Sequence, residues 1–257
     1  KQGLFNAVFP ISTEQYWYFT AYAGMFFFIP LLNMFINKAT KKQLVCTVMA
    51  CFLLFSILPT FFRRDIFYLN EGYSAFWLMI LYLLGGYIAK YNIGQTTSYR
   101  KIAGIYIICI IVSWGVKMGM DKKMWEVSGS LPVKDLLISY TSPTILLAGA
   151  ALVILFSRLQ IKKRLRKWIG MFAPLSFSVY LIHFHPLIKD HILQDRFGSY
   201  VQYNPVVLVI LLIGTVCAIF FACLFFDLIR EWFFKIIKLK EILVKIEKKV
   251  LQCFAGK

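Results

Sequence analysis

The run PVVLVILLIGTVCAIFFACLFFDL, Pro205–Leu228, decides the fold class. Its 24 positions exceed the ~20 apolar residues a helix needs to cross a hydrocarbon core about 30 Å thick, at 1.5 Å of rise per residue. Working outward from it, six further stretches have the same character: Tyr16–Ile36, Leu44–Phe62, Tyr73–Ala89, Ile102–Val116, Leu136–Phe156 and Gly170–Ile188. The fourth is short, and Pro30 and Pro143 fall inside spans, where a missing N–H predicts a kink. The pattern predicts an all-α, polytopic membrane helical bundle of about seven transmembrane helices, followed by a C-terminal amphipathic interfacial helix.

Composition agrees. The 257 residues are 60% hydrophobic and 16% charged, against roughly half and a quarter for a soluble domain. A soluble globule of this size has too little interior to hide that apolar surface. The net charge of +17 would suit a nucleic-acid partner only on a soluble basic face, which the chain lacks. The six cysteines have no metal-site spacing and read as small hydrophobes, with Cys253, beside a basic tail, open to acylation. No metal is expected.

Charge between the spans predicts orientation. Loops 37–43, 90–101 and 157–169, together with the tail from Asp227, hold 20 of the 29 Lys and Arg residues. By the positive-inside rule these segments are cytoplasmic, which puts Lys1 outside and the C-terminus inside. In the tail, Trp232, Ile236, Leu239, Leu243, Ile246 and Val250 recur at three- and four-residue steps with Lys between them. They predict a helix lying in the inner interface, a short coiled coil being the alternative.

Three segments carry a family resemblance: YWYFTAYAGMFFFIPLLNMFI (Tyr16–Ile36), NEGYSAFWLMILYLLGGYIAKY (Asn70–Tyr91) and SFSVYLIHFHPLI (Ser176–Ile188). In that order they resemble the acyltransferase-3 family of membrane O-acyltransferases, which acylate bacterial surface sugars. The resemblance implies a bacterial plasma-membrane enzyme. It would move an acetyl or similar acyl group from cytoplasmic acyl-CoA, acetyl-CoA being the expected donor, to a hydroxyl of a cell-surface glycan or its lipid-linked precursor. It also implies a core of about ten helices with both termini inside. On that pattern residues 1–228 would be the C-terminal part of the transmembrane acyltransferase-like domain, and 229–257 a cytoplasmic amphipathic basic tail. The family's essential histidine, with a basic residue before it, belongs to opening helices that do not occur here. The chain, which begins at Lys1, is therefore expected to lack three helices and the main catalytic base, and to be inactive alone.

Acyl transfer to a hydroxyl needs a proton acceptor, stabilisation of the oxyanion and a hold on the coenzyme phosphates. His183, an ionisable group inside a span, is the catalytic or pocket candidate, with a neutral imidazole bonded to a neighbouring helix as the alternative. Tyr16, Trp17 and Tyr18 read as a sugar-stacking lip or an ordinary aromatic belt. Asn33, Ser74, Trp77, Ser176 and Tyr180 complete the acceptor-side candidates, interhelical bonding being the plainer role for the polar ones. Lys38, Lys41, Lys90, Arg100, Lys101 and Arg158 could hold the donor's phosphates or simply set topology. Two alternatives stay open: a glycolipid or small-solute transporter or flippase, for which no internal repeat is visible, and a non-catalytic membrane domain.

Overall fold

The structure, a computed structural model, describes residues 16–129 and 136–245; Lys1, Glu14, Ile246, Val250 and Cys253 lie outside them. Among the described residues all regular structure is helical. The chain forms two compact units, residues 1–160 and 161–257.

Unit 1 begins with α1 (Trp17–Phe26) and α2 (Ile29–Lys38), bent 57° from each other. Pro30 causes the break one turn upstream of itself. Its ring excludes the carbonyl of the residue four positions earlier, Phe26, where α1 ends. A capping box starts α3 (Lys41–Phe62): the Thr40 hydroxyl accepts from Gln43 N, and Gln43 Oε1 accepts from Thr40 N at 2.9 Å. Next come α4 (Ala75–Lys90), α5 (Tyr99–Ser128) and α6 (Pro143–Ser157).

Two expectations change here. The sequence predicts a short fourth stretch, but α5 has 30 residues. Its C-terminal turns are charged rather than apolar and carry the i,i+4 ion pairs Lys117–Asp121 at 3.2 Å and Lys122–Glu126 at 3.9 Å. Pro143 does not kink a helix. It is the first residue of α6, where its missing N–H costs nothing. The preceding residues from 136 turn irregularly, with the Ser142 hydroxyl donating to the Ser139 carbonyl at 2.7 Å.

Unit 2 contains α7 (Lys163–Phe172), α8 (Ser176–His183) and α9 (Pro205–Ile236), with short helical turns between α8 and α9. The sixth expected span is not straight. The helical run from Lys163 to His183 meets Pro186–Gln202 at 66°, because Pro186 excludes the carbonyl of Ile182. The helix α9 has its first turn capped by Asn204, which accepts from Val207 N at 3.0 Å, and it runs unbroken past Leu228.

By length and composition α3, α5 and α9, with 22, 30 and 32 residues, are long enough to cross a membrane; counting each bent pair as one span gives five. The other two of the seven expected stretches, α4 and α6, form apolar helices of 16 and 15 residues, just under the ~20 of a straight crossing. Phe221, Phe225 and Phe226 on α9 are exposed, as lipid-facing rings are. Lipid tails are as apolar as Leu, so close packing and polar links hold the helices of unit 1 together. Leu69, Trp77, Ile80 and Leu146 form one buried cluster. The Ser56 hydroxyl donates to the Thr141 carbonyl at 2.6 Å, and Ser113 to Thr144 Oγ1 at 2.8 Å.

Candidate functional site

In unit 1 an apolar cavity of about 380 Å³ runs between α4 and α6. Trp17, Tyr18, Gly72 and Tyr140 surround one end of it, and Ile88 and Val153 lie towards the other. The loop before α4 builds the first end. Asp65 accepts from the backbone of Leu69 at 2.8 Å and Asn70 at 2.7 Å, holding a tight turn in which Tyr68, Asn70 and Glu71 all have positive φ. Such backbone costs of order 1 kcal/mol or more per residue and persists only where its surroundings enforce it.

Gly72 continues this turn at φ +100°, and a Cβ on it would lie 2.6 Å from the Cβ of Tyr140. Only glycine lets the two loops close to this distance. Three rings then meet: Trp17 on Tyr73 at 4.3 Å, Tyr73 on Tyr140 at 5.2 Å, and Trp17 near Tyr140 at 6.0 Å. The result is an aromatic collar with an apolar slot beneath it. Rings of this kind suit a ligand that is polar at one end and apolar at the other.

Of the acceptor-side candidates, Trp17, Tyr18 and Trp77 come together at this slot. Tyr16 sits in the turn that starts α1, its carbonyl accepting from Thr20 N at 2.9 Å. Asn33 stands elsewhere and accepts from the Tyr82 hydroxyl at 2.8 Å, linking α2 to α4. Ser74 caps α4 by accepting from Trp77 N at 3.2 Å. Tyr73 and Tyr140 went unrecognised in the sequence. For Tyr140 the signal is Ser-Tyr-Thr-Ser-Pro, a turn composition inside the apolar stretch Leu136–Phe156.

At the far end of α4 lies a basic rim. Lys90 Nζ donates to the carbonyls of Ile36 at 2.6 Å, Asn37 at 3.1 Å and Ala39 at 2.9 Å, closing the end of α2. Arg158 Nη1 donates to the carbonyls of Thr97 at 2.7 Å and Gly94 at 3.2 Å, tying down the loop after α4. Both cations thus bind backbone. Lys41 lies 5.6 Å from the Tyr91 ring centre, and Lys38, Arg100 and Lys101 are exposed on the same rim. No acidic residue occurs in loops 37–43 or 90–101.

In unit 2, His183 ends α8, half-buried. Its Nδ1 lies 2.5 Å from the Val179 carbonyl. A carbonyl only accepts, so Nδ1 carries a proton, and in the neutral ring Nε2 is the lone-pair acceptor. His185 is the opposite tautomer: its Nδ1 accepts from Leu187 N at 3.3 Å. Tyr180 packs its ring 5.3 Å from Phe184 and 6.3 Å from His183. The Ser176 hydroxyl donates to its own helix, to the Ala173 carbonyl at 2.7 Å. Among the described residues no cluster of three His, Cys, Asp or Glu could hold a metal ion.

No curated protein and no solved structure matches the chain. A family model described as an acyltransferase domain matches residues 2–225, which include the helices of unit 1, the collar, His183 and the first part of α9. With that match over most of its length, the chain belongs to the acyltransferase-3 family and is a membrane acyltransferase.

Proposed function

We propose that the protein works in the bacterial plasma membrane as an O-acyltransferase, moving an acetyl or similar group from cytoplasmic acyl-CoA to a hydroxyl of a cell-surface glycan or its lipid-linked precursor. The observation that carries this reading is the chemical polarity of unit 1. An aromatic collar stands at the start of α4, and a rim of cations without acids stands at its end. Rings offer faces for a sugar; cations suit the phosphates of a coenzyme.

The charge bias puts the rim on the cytoplasmic side, where the coenzyme is, and the collar on the outer side with the glycan. That orientation also puts the C-terminus inside and Lys1 outside. Lys38, Lys41, Arg100 and Lys101 are the residues assigned to the donor; Lys90 and Arg158 shape the loops that carry them. In the reaction the acceptor oxygen bonds to the thioester carbonyl carbon, the carbon–sulfur bond breaks, and the hydroxyl proton leaves through a base to the coenzyme thiolate. His183 Nε2, the acceptor nitrogen of the neutral ring, is our candidate for a group that holds this proton.

Deletion of the gene tests the reading. Acyl groups released from the envelope glycans by mild alkali are expected to fall and to return on complementation. An unchanged yield of ester-linked acyl groups would sink it.

A further inference from the structure

The slot beneath the collar is lined almost wholly by apolar side chains and helix glycines. It extends along α4 from Trp77 to Ile88, eleven residue rises or about 16 Å. An extended hydrocarbon of roughly a dozen carbon–carbon bonds spans that length, and the apolar lining suits it.

Two glycines keep the slot open. Gly85 on α4 and Gly149 on α6 both line it, and a Cβ placed on either meets nothing within 4 Å. Neither has positive φ, so backbone conformation does not require glycine there. The next residue shows the contrast: a Cβ on Gly86 would lie 2.5 Å from Ile36 Cδ1, so that glycine serves helix packing. A glycine inside a helix costs about 1 kcal/mol relative to alanine. At positions 85 and 149 what it leaves in return is space.

We propose that this slot seats the hydrocarbon tail of a lipid-linked glycan, with the sugar held at the collar of Trp17, Tyr18 and Tyr140. Resting on the glycan acyltransferase reading, this selects the lipid-linked precursor as the acceptor. The tail belongs to the acceptor because the polar end of the slot is the collar. The donor's cations stand at the opposite end of α4, about 20 Å away along the helix.

The test uses the full chain in vesicles of phosphatidylethanolamine and phosphatidylglycerol. The probe is dodecyl β-glucoside carrying a diazirine in mid-chain. Photolabel is expected on Ala75–Lys90 and Pro143–Ser157, competed by unlabelled dodecyl glucoside and not by added phosphatidylglycerol. Gly149→Leu and, independently, Gly85→Leu should each lower it about tenfold by excluding a few methylenes. Gly104→Leu on α5, equally free of neighbours at its Cβ, should not. Labelling elsewhere on the chain, unchanged in the plugged variants, shows that they are folded. Labelling undiminished by both plugs, displacement by phosphatidylglycerol alone, or no label on either helix of the unsubstituted protein would each overturn the proposal. The last would mean that protein fills the slot. Because labelling needs no turnover, it can succeed while gene deletion leaves acyl groups unchanged, so the two readings fail separately.

Discussion

Replacing Gly72 by alanine places a methyl group 2.6 Å from the Cβ of Tyr140, where carbon atoms ordinarily rest about 3.5–4.0 Å apart. Both atoms are fixed to backbone, so no side-chain rotation relieves the contact; one of the two loops must move about 1 Å. Overpacking of this kind costs about 1–3 kcal/mol. The φ of +100° adds a conformational penalty of about 1–2 kcal/mol for any L side chain. We expect Gly72→Ala to destabilise unit 1 by about 3 kcal/mol, an apparent Tm lower by roughly 6–12 °C for a chain of this size. The assay is thermal unfolding in detergent at a fixed scan rate, since membrane proteins seldom unfold reversibly. A second variant separates the two contributions. Tyr140→Gly removes the clashing Cβ, so in the double variant the steric part should vanish and the φ part remain. That coupling should measure about 1–3 kcal/mol. Additive effects, or an unchanged Tm in Gly72→Ala, would refute the claim that this glycine sets the distance between the collar loops.

The basic rim offers a contrast between neighbouring cations. Lys90→Met should lower thermal stability by about 1–3 kcal/mol, because three carbonyls lose a charged donor whose exposure tempers its strength. Lys101→Met should leave stability within about 0.5 kcal/mol and raise the KM for acyl-CoA; the opposite pattern would exchange their roles. His183→Asn keeps a donor towards the Val179 carbonyl and removes Nε2, so acyl transfer should fall at least ~10-fold with Tm unchanged. Full activity would return His183 to a packing role. Ser56→Ala strands the buried Thr141 carbonyl and should cost about 1–2 kcal/mol, read by the same thermal scan; no loss would mean another donor replaces the hydroxyl.

Helix class and membrane environment were legible because they depend on local composition. Each of the seven apolar stretches contains a helix or a bent helix pair, and the bend near Pro30 follows from a clash four residues back along the chain. Pro143 shows where local reading stops. A proline starts a helix or kinks one depending on whether the residues before it find other partners. Here Ser139 and Ser142 bond each other, and Thr141 accepts from Ser56 on another helix. The length of α5 was missed for a related reason: charged turns look like a loop until i,i+4 pairs carry the helix through them.

The site divides along the same line. The sequence by itself determined that Tyr16, Trp17 and Tyr18 stand at one end of a span and that 20 of the 29 Lys and Arg fall in three loops and the tail, because both are properties of single segments. Only the tertiary structure decided that Trp17, Gly72 and Tyr140, far apart in the chain, close into one collar over a slot that Gly85 and Gly149 leave open. It also decided that Lys90 serves three carbonyls of α2 and its end while Lys101 does not. Cavity width and the partner of a cation are set by distances between helices. These distances come from packing many residues at once, and no single segment encodes them.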